Sequence, residues 1–168
     1  MAETTDPLQL DLSVLWSLAE DKFGLGLHSL HGPDHWQRVE RNALHIARVS
    51  GADVLLVRLF SVLHDSHRCN ECHDPEHGRR AAGWAGELNR SHLNLSSDQL
   101  ALLQTALEYH DKGKTSTDPT IGTCWDADRL DLGRVGITPS PRFMSTSTGK
   151  ALALDPSPLK IRSLRGKS

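Results

Sequence analysis

Through the first 132 residues, apolar side chains recur three and four positions apart, the spacing of one helix face. Leu8, Leu12, Leu15, Trp16, Ala19 and Phe23 predict a first helix over 8–23. A second starts at Pro33, a favoured first-turn residue, and runs to Ser50, where Gly51 provides the stop. The third opens at Ala52 or Asp53. Its residues Val54, Leu55, Leu56, Val57, Leu59, Phe60, Val62 and Leu63 leave almost no polar face, so it lies in the middle of the fold. After a polar loop over 66–73, Asp74-Pro75 reads as N-cap and first turn of a fourth helix ending near Asn89. Ser96 or Ser97 caps a fifth that ends near Asp111, and a short sixth runs from Ile121 to Leu132 after a loop over 113–120. No stretch alternates with period two. The expected fold is an all-α bundle of about six helices.

Past Gly133 the helical period dissolves into Pro, Ser, Thr and Gly, which predicts an irregular extension over 133–168, partly packed on the helical domain of 1–132. Charge divides at the same point. The extension holds seven Lys and Arg (Arg134, Arg142, Lys150, Lys160, Arg162, Arg165, Lys167) against Asp155, a charge of +6, while the first 132 residues carry −8. After Leu154 the expected state is a solvated terminus; Arg134 and Arg142 are placed to fold back over an anionic ligand.

A chain of 168 residues suits one domain. Its net charge of −2 speaks against a dedicated nucleic-acid binder, and no apolar run reaches the roughly 20 residues of a membrane span. Three cysteines and a start without a basic-then-apolar leader point to the cytoplasm. Histidine is the unusual residue, with ten copies.

The helical faces sort these histidines. His35 sits one turn before the inward stripe Val39, Asn42, Ala43 and Ile46; His64, followed by Asp65, sits one turn past Phe60. His77 heads Ala81, Trp84, Ala85 and Leu88, and Leu100, Leu103 and Leu107 lead to His110. On the sixth helix Ile121, Cys124 and Trp125 lead to Asp128, whereas Asp126 is rotated away from that stripe. A single inward histidine is most often a core residue bonded to a backbone carbonyl. Five helices presenting imidazole or carboxylate to one core would bury carboxylates at several kcal/mol each without a counter-charge, and a divalent cation supplies it. His77, at a helix start, feels the positive end of the dipole, which favours a neutral, ligating ring.

His35 in His-Trp-Gln-Arg-Val, the doublet His64-Asp65 ending an apolar helix, and Asp128 in Asp-Ala-Asp-Arg-Leu-Asp together resemble the HD-domain superfamily of metal-dependent phosphohydrolases over residues 30–132. The resemblance implies a compact helical HD bundle in which His35, His64, Asp65 and Asp128 hold a metal. It also implies that His77 and His110 hold a second, with Asp65 bridging, or serve a single metal site in proton transfer or phosphate binding; the short interval from Asp65 to His77 keeps both open. The implied cofactor is one or two divalent ions of Mn, Fe, Co or Zn. The implied activity is hydrolysis of a nucleotide or other small phosphate ester by activated water, which Asp65 orients, with His77 and His110 as further catalytic candidates.

An anionic substrate needs cations. Arg38, one turn after His35, is placed as a catalytic and substrate-binding residue, and Lys112, Lys114, Arg129 and Arg142 as further substrate contacts; Arg79 and Arg80 also lie near ligands in sequence. His31, one turn before His35, is placed as a pocket residue or general acid. Small-molecule binding without membrane or stable nucleic-acid partners is expected, and a homodimer is compatible with the sequence. Cys69-Asn-Glu-Cys72-His73 matches the c-type haem attachment pattern, which the cytoplasmic reading disfavours. The same pair admits a structural zinc with His67 or His73, or a disulfide. Two rival functions share the constellation: a di-iron oxygenase of the HD superfamily that cleaves C–C or C–P bonds, and a non-catalytic HD module that senses a nucleotide. An intact set of six ligands disfavours the sensor.

Overall fold

A computed structural model describes residues 11–160. Eight α-helices form the described part: α1 (Ser13–Lys22), α2 (Pro33–Ser50), α3 (Val54–Leu63), α4 (His77–Leu88), α5 (Ser97–Tyr109), α6 (Pro119–Arg129), α7 (Ser147–Leu154) and α8 (Ser157–Lys160). Among the described residues there is no strand.

Local chemistry sets the ends. Helix α2 starts on Pro33 and stops at Gly51, whose φ of 77° is the left-handed conformation that favours glycine. Asp53 caps α3 by accepting from the Leu56 amide at 3.2 Å, and Ser96 and Gln99 form a reciprocal capping box on α5. Asp118 caps α6 through the amides of Thr120 and Ile121, both at 2.9 Å. Helix α3 runs through the centre, with Leu56, Leu59, Phe60, Val62 and Leu63 fully buried. Helices α2, α5 and α6 pack around it, and α4 lies along α5. That arrangement brings the ends of α3, α4, α5 and α6 beside the start of α2.

Four sequence expectations change. The count of about six becomes eight, because the extension is not irregular where it is described: 3-10 turns at Leu132–Val135 and Pro141–Phe143 precede α7 and α8. Helix α7 buries only Gly149 and Leu152, too few positions to write a period into the sequence, and it is started by Thr146 accepting from the Gly149 amide. Helix α1 begins at Ser13; Leu8, and likewise Arg162, Arg165 and Lys167, lie outside the described residues. Asp74 does not cap α4, which begins at His77; its carboxylate instead accepts from the Cys69 amide at 2.8 Å and from Arg80.

Gly78, in the first turn of α4, determines how closely α4 meets α5. A Cβ there would stand 2.4 Å from the Leu107 carbonyl oxygen and 3.3 Å from His110 Nδ1, so only glycine lets His77 come alongside His110.

Candidate metal centre

The C-terminal end of α3 delivers His64 and Asp65, and the surrounding elements deliver His35 (α2), His77 (α4), His110 (after α5) and Asp128 (α6) to the same place. All six are buried or nearly so; His35 and His64 are completely enclosed. They fall into two groups of potential metal donors, His35, His64 and Asp128 in one and Asp65, His77 and His110 in the other.

The carboxylate of Asp65 reaches both groups with different oxygens. Its Oδ2 lies 3.7 Å from Nε2 of His35 and 3.7 Å from Nε2 of His64, while its Oδ1 lies 3.3 Å from Nε2 of His77 and 3.6 Å from Nε2 of His110. Asp128 Oδ1 completes the first group, 3.2 Å from His35 Nε2 and 3.8 Å from His64 Nε2.

The other ring nitrogens decide what these atoms can do. His35 Nδ1 donates to Asp131 Oδ2 at 2.7 Å, His64 Nδ1 to the Ser61 carbonyl at 3.1 Å, His110 Nδ1 to the Leu107 carbonyl at 2.7 Å, and His77 Nδ1 to the Asp74 carbonyl. With Nδ1 committed as donor, each neutral ring presents an Nε2 lone pair. Those lone pairs face one another at 3.0 Å (His35 and His64) and 2.9 Å (His77 and His110), beside two carboxylates. A buried cluster made only of acceptors is satisfied by cations, either protons or metal ions. The donor set of imidazole and carboxylate fits a divalent transition metal in each group.

Electrostatics agree with that accounting. Burial drives His64 down to about 3, holding its ring neutral. Burial also pulls on His35 and His110, yet the hydrogen bonds and charges of Asp128 and Asp131 on the first and of Asp65 and Asp128 on the second leave both raised. Asp65 and Asp128 are held far below the ordinary carboxylate range, burial being outweighed by the surrounding imidazoles. Phe60 stacks on His64 with ring centroids 5.1 Å apart, fixing the ring from its apolar side.

A cavity of about 420 Å³ opens on the centre, lined by Asp65, His77, His110 and Asp128, by His31, and by Arg68, Arg129 and Arg134. Its outer wall is the strap after α6: Leu132, Ile137, Phe143 and Met144. Both ends of the strap are fastened. Arg134 donates to the Leu30 carbonyl at 2.9 Å, and Arg129 donates to the Phe143 carbonyl at 2.6 Å. Beyond it, Asp126 accepts from the amides of Ser145 and Thr146 at 2.7 and 2.8 Å and from the Thr146 hydroxyl at 2.7 Å. Asp126 is thus turned away from the donor groups, as its helical phase requires, but it is fully buried because the extension covers that side. Gly149 packs on its carboxylate so closely that a Cβ would meet Oδ2 at 2.1 Å.

The residues expected to meet substrate separate. His31 and Arg129 line the cavity, with His31 Nδ1 3.0 Å from Asp65 Oδ2. Arg38 lies outside it and pairs with Asp131 at 2.8 Å, behind His35. Lys112 binds the Pro75 carbonyl and Asp111, Lys114 lies over the Tyr109 ring, and Arg142 over the Phe143 ring; none lines the cavity. Arg79 pairs with Glu76 at the surface, and Arg80 with Asp74. Cys69 and Cys72 are exposed free thiols, and among the described residues neither joins a donor group, so the structural-zinc alternative finds no site.

Three contributors were not picked out from sequence. Asp131 lies one turn past Asp128, a spacing that could have marked it; Asp111 follows His110 in the cavity wall; Arg68, three residues past Asp65, carries no signal beyond proximity.

No protein-family model matches the chain, and no curated protein does. The fold matches the crystal structure of a predicted HD superfamily hydrolase from an uncultured Thermotogales bacterium, with a TM-score of 0.69 and 22% sequence identity over 92% of this chain and 89% of that one. The chain therefore has the fold of that hydrolase. Among the described residues no helix is long and apolar enough to cross a membrane.

Proposed function

We propose that the chain is a member of the HD superfamily and a metal-dependent phosphohydrolase, acting in the cytoplasm on a nucleotide or other small phosphate ester. The observation that carries this reading is the all-acceptor cluster, four Nε2 lone pairs and two carboxylates converging at the base of a cavity. His35, His64, Asp128 and Asp65 Oδ2 would hold one ion, and Asp65 Oδ1, His77 and His110 a second. A divalent ion bound there lowers the pKa of a water and polarises a phosphoryl oxygen.

The protein's own groups supply the rest. Asp65 reaches both donor groups and so sets their separation. Asp131, itself held by Arg38, orients His35 from behind, the arrangement by which carboxylates usually fix a ligating imidazole. His31 stands in the cavity wall with Nδ1 against Asp65, in position to hold or pass a proton at that atom. Arg129 is tied by backbone carbonyls and forms no ion pair among the described residues, so its charge is available to an anionic substrate. The strap limits access of water and gives the cavity apolar surface for the body of the ester.

The test is phosphate release from a panel of nucleotides and simple phosphate esters, with Mn, Fe, Co or Zn supplied and oxygen excluded. Wild type is expected to release phosphate. His64→Ala and Asp65→Ala are expected to lose metal and release while keeping a helical circular-dichroism spectrum. Full activity in either variant would sink the assignment. Turnover that requires oxygen and iron would instead favour the oxygenase reading, which uses the same six donors.

A further inference from the structure

Arg68 combines a largely buried charge with an unsatisfied donor. Its side chain is only 10% exposed, and it lines the cavity beside the His77 and His110 group. One end is fixed: Nη2 donates to the Cys72 carbonyl at 2.9 Å. Nη1 lies 3.4 Å from both ring nitrogens of His77, equidistant, which places it over the ring and not along either lone pair. Nε is buried and is the one buried side-chain polar atom among the described residues without a hydrogen-bond partner. Such a donor bears its full desolvation cost, and the surrounding chain offers this part of the guanidinium no acceptor.

The charge is equally uncommitted. The carboxylate within ion-pair distance of Arg68 is Asp65, 3.8 Å away through Oδ1. That same oxygen belongs to the second donor group. Cations in the two groups would draw on both oxygens of Asp65, leaving the guanidinium with a neutral carbonyl and an imidazole face. A planar fork of N–H groups without an anion, at the wall of a cavity, matches the geometry of phosphate oxygens.

We propose that Arg68 is the substrate's anion anchor, binding non-bridging phosphate oxygens on the side of the cavity formed by His77 and His110. The proposal rests on the reading of the cavity as a phosphate site, and its role is separable from hydrolysis. Inorganic phosphate is the probe. Binding to the manganese-loaded protein is measured by calorimetry, with manganese content determined by elemental analysis.

Arg68→Ala and Arg68→Gln are expected to keep wild-type manganese and helicity and to bind phosphate about tenfold more weakly or worse. Gln retains a donor for the Cys72 carbonyl and so guards against a folding defect in the Ala variant. Arg68→Lys, which keeps the charge and loses the fork, should fall between them and wild type. Wild-type phosphate affinity in both Ala and Gln variants overturns the proposal, as does a loss of manganese in all three variants, which would make Arg68 a support of the metal centre. Arg68-dependent phosphate binding by a wild-type protein that hydrolyses no ester would uphold the anchor and refute the phosphohydrolase. Hydrolysis with phosphate affinity indifferent to Arg68 would do the reverse.

Discussion

Replacing Asp131 by Ala separates metal binding from the metal donors themselves. Asp131 is a member of neither donor group; it receives the Nδ1 proton of His35 at 2.7 Å and Arg38 Nε at 2.8 and 3.0 Å, with its side chain 12% exposed. Burial raises its carboxyl, but those two bonds leave it below the ordinary value, so it is ionised throughout the working range. In Asp131→Ala the enclosed His35 ring loses both the acceptor that fixes its tautomer and the charge that strengthens Nε2 as a donor. A buried hydrogen bond to a charged group is worth about 1.5–3 kcal/mol, which is about 10- to 150-fold in an equilibrium constant. The Arg38 pair adds little, since that side chain is 35% exposed. Metal affinity should therefore fall by about 10- to 100-fold, the range usual for residues behind a ligand. Asp131→Asn, which keeps an oxygen acceptor, should lose less. The assay is equilibrium dialysis against chelator-buffered manganese or zinc, followed by elemental analysis, with circular dichroism as the control. Wild-type affinity in Asp131→Ala would refute the reasoning, because His35 would then hold its place and tautomer unaided.

The pH dependence of the chelator-treated protein has a definite shape. His35 and His110 are raised above 6.5, so their stabilisation is fully present below 6.5 and is lost as pH rises through the raised values; His64, depressed to about 3, has the opposite sign and destabilises as pH falls below 6.5. Thermal melting without metal should peak near pH 6.5, whereas with metal it should keep rising towards pH 8, since bound ions replace protons; a monotonic apo profile would contradict the accounting. Asp126→Ala should cost about 1–3 kcal/mol and open the chain between Gly133 and Met144 to limited proteolysis while leaving metal content unchanged; unaltered cleavage would show that the strap is held elsewhere. Gly149→Ala should open the same segment, because its Cβ would displace the Asp126 carboxylate. Truncation after Leu154 should preserve metal content, since α8 contributes no buried residue, and a metal-free truncated protein would refute that.

Much of the centre could be read from helical phase. His35, His64, His77, His110 and Asp128 each extend an apolar stripe, and a side chain at the end of a stripe points where the stripe points. The boundaries of α2 were equally legible, because Pro33 and Gly51 act locally. What phase does not report is contact between segments distant in sequence. Asp131 matters through His35, 96 residues earlier, and Arg134 through the carbonyl of Leu30, 104 residues earlier. Asp126 illustrates the same limit: its phase turned it off the apolar stripe, yet that side is closed by α7, whose own two buried positions leave no periodic trace. The basic residues chosen by nearness to a ligand scattered for the same reason. Lys112 and Lys114 found partners within their own turn or across to Pro75 before they could face the cavity.

Helix α6 carries in four consecutive residues both a donor of the centre and two fasteners of the strap, Asp128 between Asp126 and Arg129. The span hung from those fasteners supplies the cavity's apolar wall and none of the six donors. Loop exchange thus becomes a workable engineering route: the residues between Val135 and Arg142 can be swapped for sequences of other length or polarity while the anchors stay, changing which molecules fit the cavity without redesigning the six donors. Inherited variation would be tolerated in the same place, so the cavity wall could change while the six donors stayed the same.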